Sequence, residues 1–443
     1  MKMWHKRVTW IGVVIIFFIL TPILILYGQG YNFNLAKQRI EQTGIIYLKT
    51  YPRSTQIYLN NKLIANSTPY HIKRLPVGDY EITIKKDGYH SWQKKITVVA
   101  GMTTFIEDIV LYTDNAPREF SNFQLQSYFV SSANNLLMLT IKDNSYQLLY
   151  FDLNFNQLKK IKSWDLANKI ELLAWSPNER KYIYRENNKF YWTSIDGLTT
   201  SKDISNNKSY LVNFTWHEFA DNKIYSTINN QVKLLDLNLN RLESISSQAS
   251  QVITDHNKSY ILTAADNKFK SVLTELGIDV EHDRIILPFT SEVTVIKNGP
   301  VLSFIDQANN FLYLIDTPIK KTLANYKLIP YVKAAQWYAP QQDKILYWND
   351  NEIQIYYWHK KQYQNVFRSS AVIKNANWHP NGSYIFFYEN NTIRLTELDE
   401  RDFKNTIDLV QDNNIDRFFV NNKGDVIYYY QPEKQKFYAL QIQ

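Results

Sequence analysis

A repeating pattern of short strands is the feature that most constrains the fold of this 443-residue chain. From about Phe120 onward, an apolar strand, an Asn-rich turn and further strands recur, and the first strand often ends in Trp. Trp175 and Trp216 are 41 residues apart, and so are Trp337 and Trp378. A period of about 40 residues with this strand content indicates the blades of a β-propeller, none of which can bury its faces alone.

Eight copies of the repeat fit this period. The interval from Trp216 to Trp337 is 121 residues, close to three periods, which leaves room for two weaker copies. The copies lie near Tyr128, Trp175, Trp216, Val252, Thr294, Trp337, Trp378 and Arg417. The sequence therefore predicts a propeller of seven or eight blades over residues 120–443, and we favour eight.

The four Trp residues are interpreted as core between blades, because a position that recurs once per repeat is what packing requires. The alternative is an aromatic stripe that binds sugar, which would need aromatic side chains on exposed loops. Two aromatic runs are candidates for that role, Tyr356–Trp358 and Tyr428–Tyr430, although their pattern is more typical of strands.

Two turns carry a more specific signature, Trp175–Glu179 (Trp-Ser-Pro-Asn-Glu) and Trp378–Gly382 (Trp-His-Pro-Asn-Gly). This signature resembles the TolB-like propeller repeat, in which a Trp-Ser-Pro-Asp-Gly turn precedes the next strand. The Trp-Asp dipeptide of WD repeats does not recur, since it occurs once, at Trp164-Asp165. The resemblance implies the propeller fold, and it assigns no chemistry.

The N-terminal segment predicts a membrane-spanning helix. Residues 8–27 contain no ionisable side chain except the Tyr27 phenol, and twenty residues at about 1.5 Å rise match a hydrocarbon core of about 30 Å. Pro22 predicts a kink. Three cations precede the span, whereas the first cations after it are Lys37 and Arg39. This bias places the N-terminus in the cytoplasm and the bulk of the chain outside.

A cleaved signal peptide is the competing interpretation, because Gly28-Gln29-Gly30 offers small residues where a peptidase would act. The apolar stretch is longer than the 7–15 residues usual for a signal peptide, which favours an uncleaved anchor. Under both interpretations the chain is exported. We predict a cytoplasmic tail and signal-anchor helix over residues 1–30, followed by a polar linker over residues 31–43.

Between the linker and the propeller, short alternating runs predict half-buried antiparallel strands. They are Ile45–Leu48, Gln56–Leu59, Tyr80–Ile84 and Lys95–Val99. About seventy residues of this pattern predict one small β-sandwich over residues 44–112.

The region from Gly44 to Leu111 resembles the PEGA domain family. The resemblance is carried by Pro52, Thr68-Pro69, Leu75–Gly78 and Lys86–Tyr89. The tetrad that names the family keeps only its proline, and Asn66-Ser67 replaces the glycine that commonly precedes Thr-Pro. Both departures fall at turns, where Asn and Ser are acceptable. The resemblance implies a surface-associated spacer or adhesive module without catalytic residues.

The composition excludes several classes of site. The chain has no cysteine, which removes disulfides, thiolate nucleophiles, zinc-thiolate sites and a lipidated cysteine. The net charge of +8 would suit an anionic partner, but the charge is spread along the chain without a basic, Gly-rich nucleic-acid motif. We therefore predict no nucleic-acid partner.

No catalytic, cofactor-binding or metal-ligating residue is predicted, and the binding residues are not identified. The eight histidines show no zinc-helix spacing, and the nucleophile elbow, Walker loop and dinucleotide fingerprint are all missing. Ser194–Gly197 resembles part of the Asp-box of sialidase-like propellers but is more typical of a turn. The adjacent acid/base residues Glu281, His282 and Asp283 cannot all face one site if they lie on a strand.

The sequence thus predicts an all-β protein with an N-terminal transmembrane helix, a PEGA-like sandwich and a propeller. We expect a single-pass, non-enzymatic binding or scaffold protein of the cell envelope. Its predicted partners are the lipid bilayer, through residues 8–27, and an envelope protein or glycan. The alternative is a surface enzyme acting on cell-wall glycan or peptide, which carboxylates converging at the central funnel would favour. A membrane-tethered sensor would need a partner, because the tail before residue 8 is short.

Overall fold

The chain divides into two compact units. The first comprises Met1–Asn115, Thr396–Ile407 and Ile442–Gln443, and the second comprises Ala116–Leu395 and Asp408–Gln441. The computed structural model describes residues 2–34, 38–205, 212–218, 220–228, 231–246, 249, 251–255, 258–264, 270–276, 284–288, 290, 292–316 and 326–443.

The N-terminal helix α1 spans Lys2–Gly28 and continues through Pro22. Its segment Thr9–Gly28 is long and apolar enough to cross a membrane. Large apolar side chains along this segment are exposed, for example Phe18 at 70%. A helix that is apolar all round is stable in hydrocarbon rather than in water. The predicted apolar helix is therefore present, in a form that suits a signal anchor or a signal peptide.

Residues 31–43, predicted to be a linker, contain paired strands instead. Strand β1 (Tyr31–Asn34) runs antiparallel to the start of β2 (Arg39–Tyr51), with Tyr31 opposite Gln42 and Asn34 opposite Arg39. The side chains described in this hairpin are mostly exposed, so the alternation that reveals a half-buried strand is missing from the sequence.

Two four-stranded sheets form the sandwich of the first unit. In one sheet, β2 pairs with β1, β5 and β8, and in the other the strand order is β4-β3-β6-β7. The remaining strands are β3 (Gln56–Leu59), β4 (Lys62–Ala65), β5 (Tyr70–Pro76), β6 (Gly78–Lys85), β7 (Trp92–Val98) and β8 (Thr103–Val110). Both sheets contribute to one buried apolar cluster that includes Ile46, Leu48, Ile84, Ile96 and Ile106. The predicted sandwich is confirmed.

A buried ion pair lies inside this first unit. Strand β7 alternates between buried and exposed residues, and Lys94 occupies a buried position between Trp92 and Ile96. The Lys94 ammonium donates to Glu397 Oε1 at 2.5 Å, and the Trp92 indole donates to Glu397 Oε2 at 3.0 Å. The backbone N–H of Asn405 adds a third donor at 2.9 Å. Since both charges are shielded from water, each depends on the other.

The second unit contains eight four-stranded sheets in the described residues, except that residues 396–397 and 406–407 of one sheet belong to the first unit. Its first strand, β9, is Arg118–Asn122. Blades 1 to 4 follow in chain order as β10–β13, β14–β17, β18–β21 and β22–β25. Their bounds are Gln124–Val130, Leu136–Lys142, Ser145–Asp152, Gln157–Asp165, Ile170–Trp175, Lys181–Glu186, Lys189–Ser194, Lys202–Asp203, Val212–Trp216, Lys223–Ile228, Gln231–Asp236, Arg241–Ser246, Gln251–Asp255, Lys258–Ala264, Lys270–Glu275 and Arg284–Pro288.

Blades 5 to 7 are β26–β29, β30–β33 and β34–β37, and blade 8 is β38–β40 with β9. Their bounds are Val293–Val295, Leu302–Asp306, Phe311–Ile315, Tyr326–Ile329, Ala334–Trp337, Lys344–Trp348, Glu352–Tyr357, Gln362–Arg368, Ile373–Trp378, Tyr384–Glu389, Thr392–Glu397, Thr406–Gln411, Arg417–Val420, Val426–Gln431 and Lys436–Gln441. The prediction of eight repeats is confirmed, and each predicted copy lies at the first strand of a blade.

The ring closes through a strand from the start of the second unit. Strand β9 lies beside β40, with Arg118 opposite Ala439 and Asn122 opposite Lys436. Blade 8 thereby gains its fourth strand, and its core is shared with blade 1 through Phe151, Tyr428 and Phe437.

Glycine turns receive side chains from the preceding blade. A Cβ atom at Gly424 would lie 2.5 Å from Nε2 of His379, and one at Gly382 would lie 2.5 Å from the Tyr338 ring. Both glycines also have positive φ angles, 76° and 70°. His379 and Tyr338 each directly follow the Trp of their repeat, so equivalent positions make equivalent contacts.

Removing the positive charge of Lys94 should destabilise the first unit strongly. In Lys94→Met the Glu397 carboxylate stays buried without its cation, and we expect a loss of about 3–5 kcal/mol. Lys95→Met is the matched control, since the adjacent Lys95 pairs with Asp79 at the surface with side chains 60% and 45% exposed. Exposed pairs contribute about 0–1 kcal/mol. Denaturant unfolding of the full chain in detergent measures the free energy of unfolding of both variants. Equal losses in the two variants would contradict a stabilising role for the buried pair.

Gly424→Ala should cost more stability than Gly197→Ala. Both residues have similar φ angles, 76° and 78°, so each substitution incurs about 1–2 kcal/mol of backbone strain. At Gly197 nothing lies within 4 Å of the added Cβ, whereas at Gly424 it displaces His379. We expect a further loss of about 1–3 kcal/mol for this overpacking. Thermal unfolding midpoints of the two variants test the difference, and similar midpoints would argue against the contact.

Candidate functional site

The innermost strands of the propeller enclose a cavity of about 400 Å³. It is bordered by β10, β30, β34 and β38, and by the turn after β26, so five blades contribute to it. An innermost strand pairs with only one neighbour in its own blade. Its other edge is unpaired and faces the centre of the ring. The cavity is therefore a product of ring formation, and ligand sites of propellers and other β-folds are commonly such concave openings.

Amide side chains dominate the polar part of the lining. Asn375 and Asn377 lie on β34, where a bulge between Ile373 and Asn375 shifts the register. The buried residues of this strand are Ile373, Ala376 and Trp378, while the two Asn residues are half-buried. Other amides at the cavity are Asn134, Asn298, Gln336, Asn421 and Asn422. Amides donate and accept hydrogen bonds, so they suit a peptide or a polyhydroxylated ligand.

Two cations border the same cavity. The Arg417 guanidinium lies 5.9 Å from the centre of the Tyr128 ring, an arrangement that holds a planar cation over an aromatic face. Burial raises the pKa of the Tyr128 phenol, and the positive charge of Arg417 partly opposes this shift. Lys297 lies 3.9 Å from Glu218 Oε1. Arg417 thus offers the more available positive charge of the two.

The residues described around the cavity include no Asp or Glu. Carboxylate pairs perform acid/base and nucleophilic steps in glycan hydrolysis. The arrangement present can instead donate and accept hydrogen bonds, stack on aromatic faces and attract an anion. In the described part of the chain, no group of His, Asp and Glu is arranged to hold a metal ion.

His379 lies beside the cavity, in the turn that follows β34. Only 3% of this residue is exposed, and its ring stacks on Phe386 at 5.5 Å between centroids. The backbone N–H of Asn381 donates to Nδ1 at 3.2 Å. Burial lowers the pKa of His379 to about 4, because the charged imidazolium loses its hydration there.

The Trp positions singled out by the repeat are core, as predicted. Trp216 packs in a cluster shared by blades 2 and 3, and Trp337 in one shared by blades 5 and 6. The Trp337 indole donates to Ser303 of blade 5 at 2.9 Å, and the Trp378 indole donates to the Gln336 carbonyl of blade 6 at 3.0 Å. Trp175 packs against the cluster between blades 1 and 2.

The other candidate motifs do not converge on the cavity. Tyr356 and Tyr428–Tyr430 are buried strand residues, and Tyr357 and Trp358 are half-buried, so the two runs form no exposed sugar-binding stripe. Ser194–Gly197 forms a turn in which the Leu198 N–H donates to Asp196 at 2.9 Å. Glu281, His282 and Asp283 lie outside the described residues, as does His256.

The sequence interpretation missed the amides of the cavity, although a signal for them exists. Gln336 and Asn377 directly precede the recurring Trp residues, at the position where blade 2 has Ala174. In blades 6 and 7 this polar residue before the Trp borders the cavity. Arg417 and Asn134 belong to copies without Trp and carry no comparable signal.

Comparison with known proteins supports both folds. Residues 43–108 match the PEGA domain family, close to the range expected from the sequence. The C-terminal WD40 domain of Sif2 is similar in structure, with a TM-score of 0.50 at 12% identity over 74% of this chain and 99% of that chain. Hsv2 of Kluyveromyces lactis aligns with a TM-score of 0.38 at 10% identity, over 62% and 98% of the two chains. No curated protein sequence matches the chain.

At 12% identity the likeness to the Sif2 domain shows a WD40-like propeller fold and nothing about activity. The expected propeller is confirmed, and it adopts this fold without a Trp-Asp dipeptide that recurs in each repeat.

The stability of the propeller should fall in mild acid because of His379. The unfolded chain takes up a proton near the usual pKa of 6.5, whereas the native imidazole stays neutral until about pH 4. The contribution of His379 to the free energy of unfolding is therefore complete above about pH 6.5. It declines by on the order of 3 kcal/mol as the pH falls to about 4. His379→Gln should remove this component. Denaturant midpoints of both proteins from pH 7 to pH 4 provide the test, and parallel curves would refute it.

Proposed function

We propose, from the premise that a PEGA domain and a WD40-like propeller share this chain, that it is a membrane-anchored binding or scaffold protein of the cell envelope. Helix α1 remains as a signal anchor with its N-terminus in the cytoplasm, and the propeller meets its partner outside the membrane. The observation that carries the proposal is the central cavity of about 400 Å³, lined by amides, aromatic rings and Arg417.

The anchor is supported by composition and exposure together. The segment Thr9–Gly28 has the length of a membrane span, and its apolar side chains are uncovered. Lys2, Lys6 and Arg7 precede it, which favours a cytoplasmic N-terminus.

The chemistry of the cavity supports binding over turnover. A surface hydrolase acting on wall glycan or peptide would need acidic groups or a nucleophile with its base at the substrate. The described lining instead offers neutral amides and cations, which recognise carbonyl, hydroxyl and carboxylate groups without changing them. An envelope protein or glycan that carries such groups is the proposed ligand.

Arg417→Ala should weaken binding at the cavity by about tenfold, because a central Arg contact typically contributes about 1–2 kcal/mol. Purified full-length protein in detergent is incubated with envelope protein and glycan fractions, and the retained material is titrated for the wild type and the variant. Arg368→Ala is the control, since Arg368 is an exposed residue of the outer strand β33 of blade 6.

Equal retention by the wild type and Arg417→Ala would place binding elsewhere. Turnover of a wall polymer without stable retention would overturn the proposal in favour of the surface enzyme.

A further inference from the structure

We propose that the end of the sandwich domain next to helix α1 is itself a lipid-binding surface. In this proposal Val77, Val99 and Met102 enter the boundary between head groups and acyl chains. The inference rests on the proposed function in one respect, since it requires that α1 is retained in the bilayer. It goes beyond the anchor because it places a folded domain, and not only the helix, in contact with lipid.

The helix and the sandwich are joined without a free spacer. Helix α1 ends at Gly28, and Gly30 takes a φ of 85° that turns the chain. The Gly30 carbonyl then accepts hydrogen bonds from the Thr43 N–H at 2.8 Å and from the Thr43 hydroxyl at 2.6 Å. Two residues after the helix, the chain is therefore fixed to strand β2.

Three further hydrogen bonds place an apolar loop at the same level. The Thr43 carbonyl accepts from the Gly101 N–H at 3.0 Å, and the Met102 carbonyl accepts from Ile45 N–H at 3.0 Å. The Met102 N–H donates to the Val99 carbonyl at 3.2 Å, which closes the turn between β7 and β8. The tip of this turn thus lies beside Thr43, the residue that holds the end of the helix.

A second apolar turn lies on the other side of β2. Thr43 is directly opposite Pro76 in the pairing of β2 with β5, and Val77 is the next residue, between β5 and β6. Val77 is 58% exposed, Val99 48% and Met102 62%. Turns at the surface of a soluble domain usually carry Gly, Asn, Asp, Ser or Pro, so large apolar tips around a membrane helix indicate contact with hydrocarbon.

An interfacial cation accompanies these apolar tips. The Arg74 guanidinium lies 4.4 Å from the centre of the Tyr27 ring, in the last turn of α1. Tyr side chains concentrate at membrane interfaces, and an Arg at that level meets phosphate groups. Apolar tips with a cation beside them match a phospholipid surface, whereas a protein groove would offer no anionic layer at this depth.

The absence of cysteine makes a direct depth measurement practical. Three single-cysteine variants of the full chain, Met102→Cys, Tyr51→Cys and Phe18→Cys, are labelled with an environment-sensitive fluorophore. They are reconstituted in phosphatidylcholine vesicles in which about one lipid in four is phosphatidylglycerol. This anionic lipid gives the vesicles a negative surface potential. Quenching is then measured with lipids that carry a spin label either near the head group or deep in the acyl chain.

Tyr51 is the matched control for Met102. Both residues are 62% exposed, and Tyr51 ends the same strand β2 whose residue Thr43 holds the Met102 turn. Tyr51 lies eight positions after Thr43 along the strand, which corresponds to a distance of roughly 26 Å. We expect strong quenching at Met102 by the head-group label and at Phe18 by the acyl-chain label, and at least fivefold weaker quenching at Tyr51 by both.

The outcomes separate this inference from the anchor. If Phe18 is quenched while Met102 is quenched no more than Tyr51, the proposed lipid-binding surface is wrong and the anchor is intact. No quenching at Phe18 would remove the anchor itself. A Met102 label that is shielded from an aqueous quencher but untouched by the lipid quencher would show a protein cover, such as a second copy of the chain, and would also overturn the proposal.

Discussion

Each blade of the propeller depends on its neighbours, because a four-stranded sheet with two apolar faces cannot cover either face itself. The contacts that meet this need recur around the ring. Trp216 fills the space between blades 2 and 3, Trp337 between blades 5 and 6, and Phe151 with Tyr428 between blades 1 and 8. The residue after the Trp reaches the glycine turn of the next blade, as His379 does at Gly424. The central cavity exists only because these contacts hold the innermost strands in a closed ring.

The period of the sequence predicted seven or eight blades, with eight favoured, and their order, because the physical requirement for a core residue recurs with each blade. It located even the weak copies at Val252 and Thr294, where no Trp is present. The pairing of residues 31–34 with residues 39–42 could not be predicted, since most side chains described there are exposed and leave no alternation. The pairing of Lys94 with Glu397, 303 residues apart, was equally hidden, because only folding brings those positions together.

The cavity illustrates the same limit at the level of a site. Its lining combines Tyr128, Gln336, Asn377 and Arg417 from four blades, and no local motif connects positions so distant in the sequence. Pattern reasoning could identify the core side of each innermost strand but not which polar residues meet at the centre. The composition of that centre, rather than the propeller fold, is the basis for proposing binding, since propellers serve many unrelated functions.

The closure of the ring by β9 also sets an order of events in time. Residues 118–122 are synthesised roughly 300 residues before their partners 436–441. Until β40 arrives, blade 8 is incomplete and β9 is an unpaired strand, the kind of edge through which chains associate wrongly. If the proposed anchor holds the chain at a membrane by its N-terminus, many copies would present this strand within a shared two-dimensional layer. Productive folding then competes with strand exchange between neighbours, and a low surface density of nascent chains would favour the closed ring.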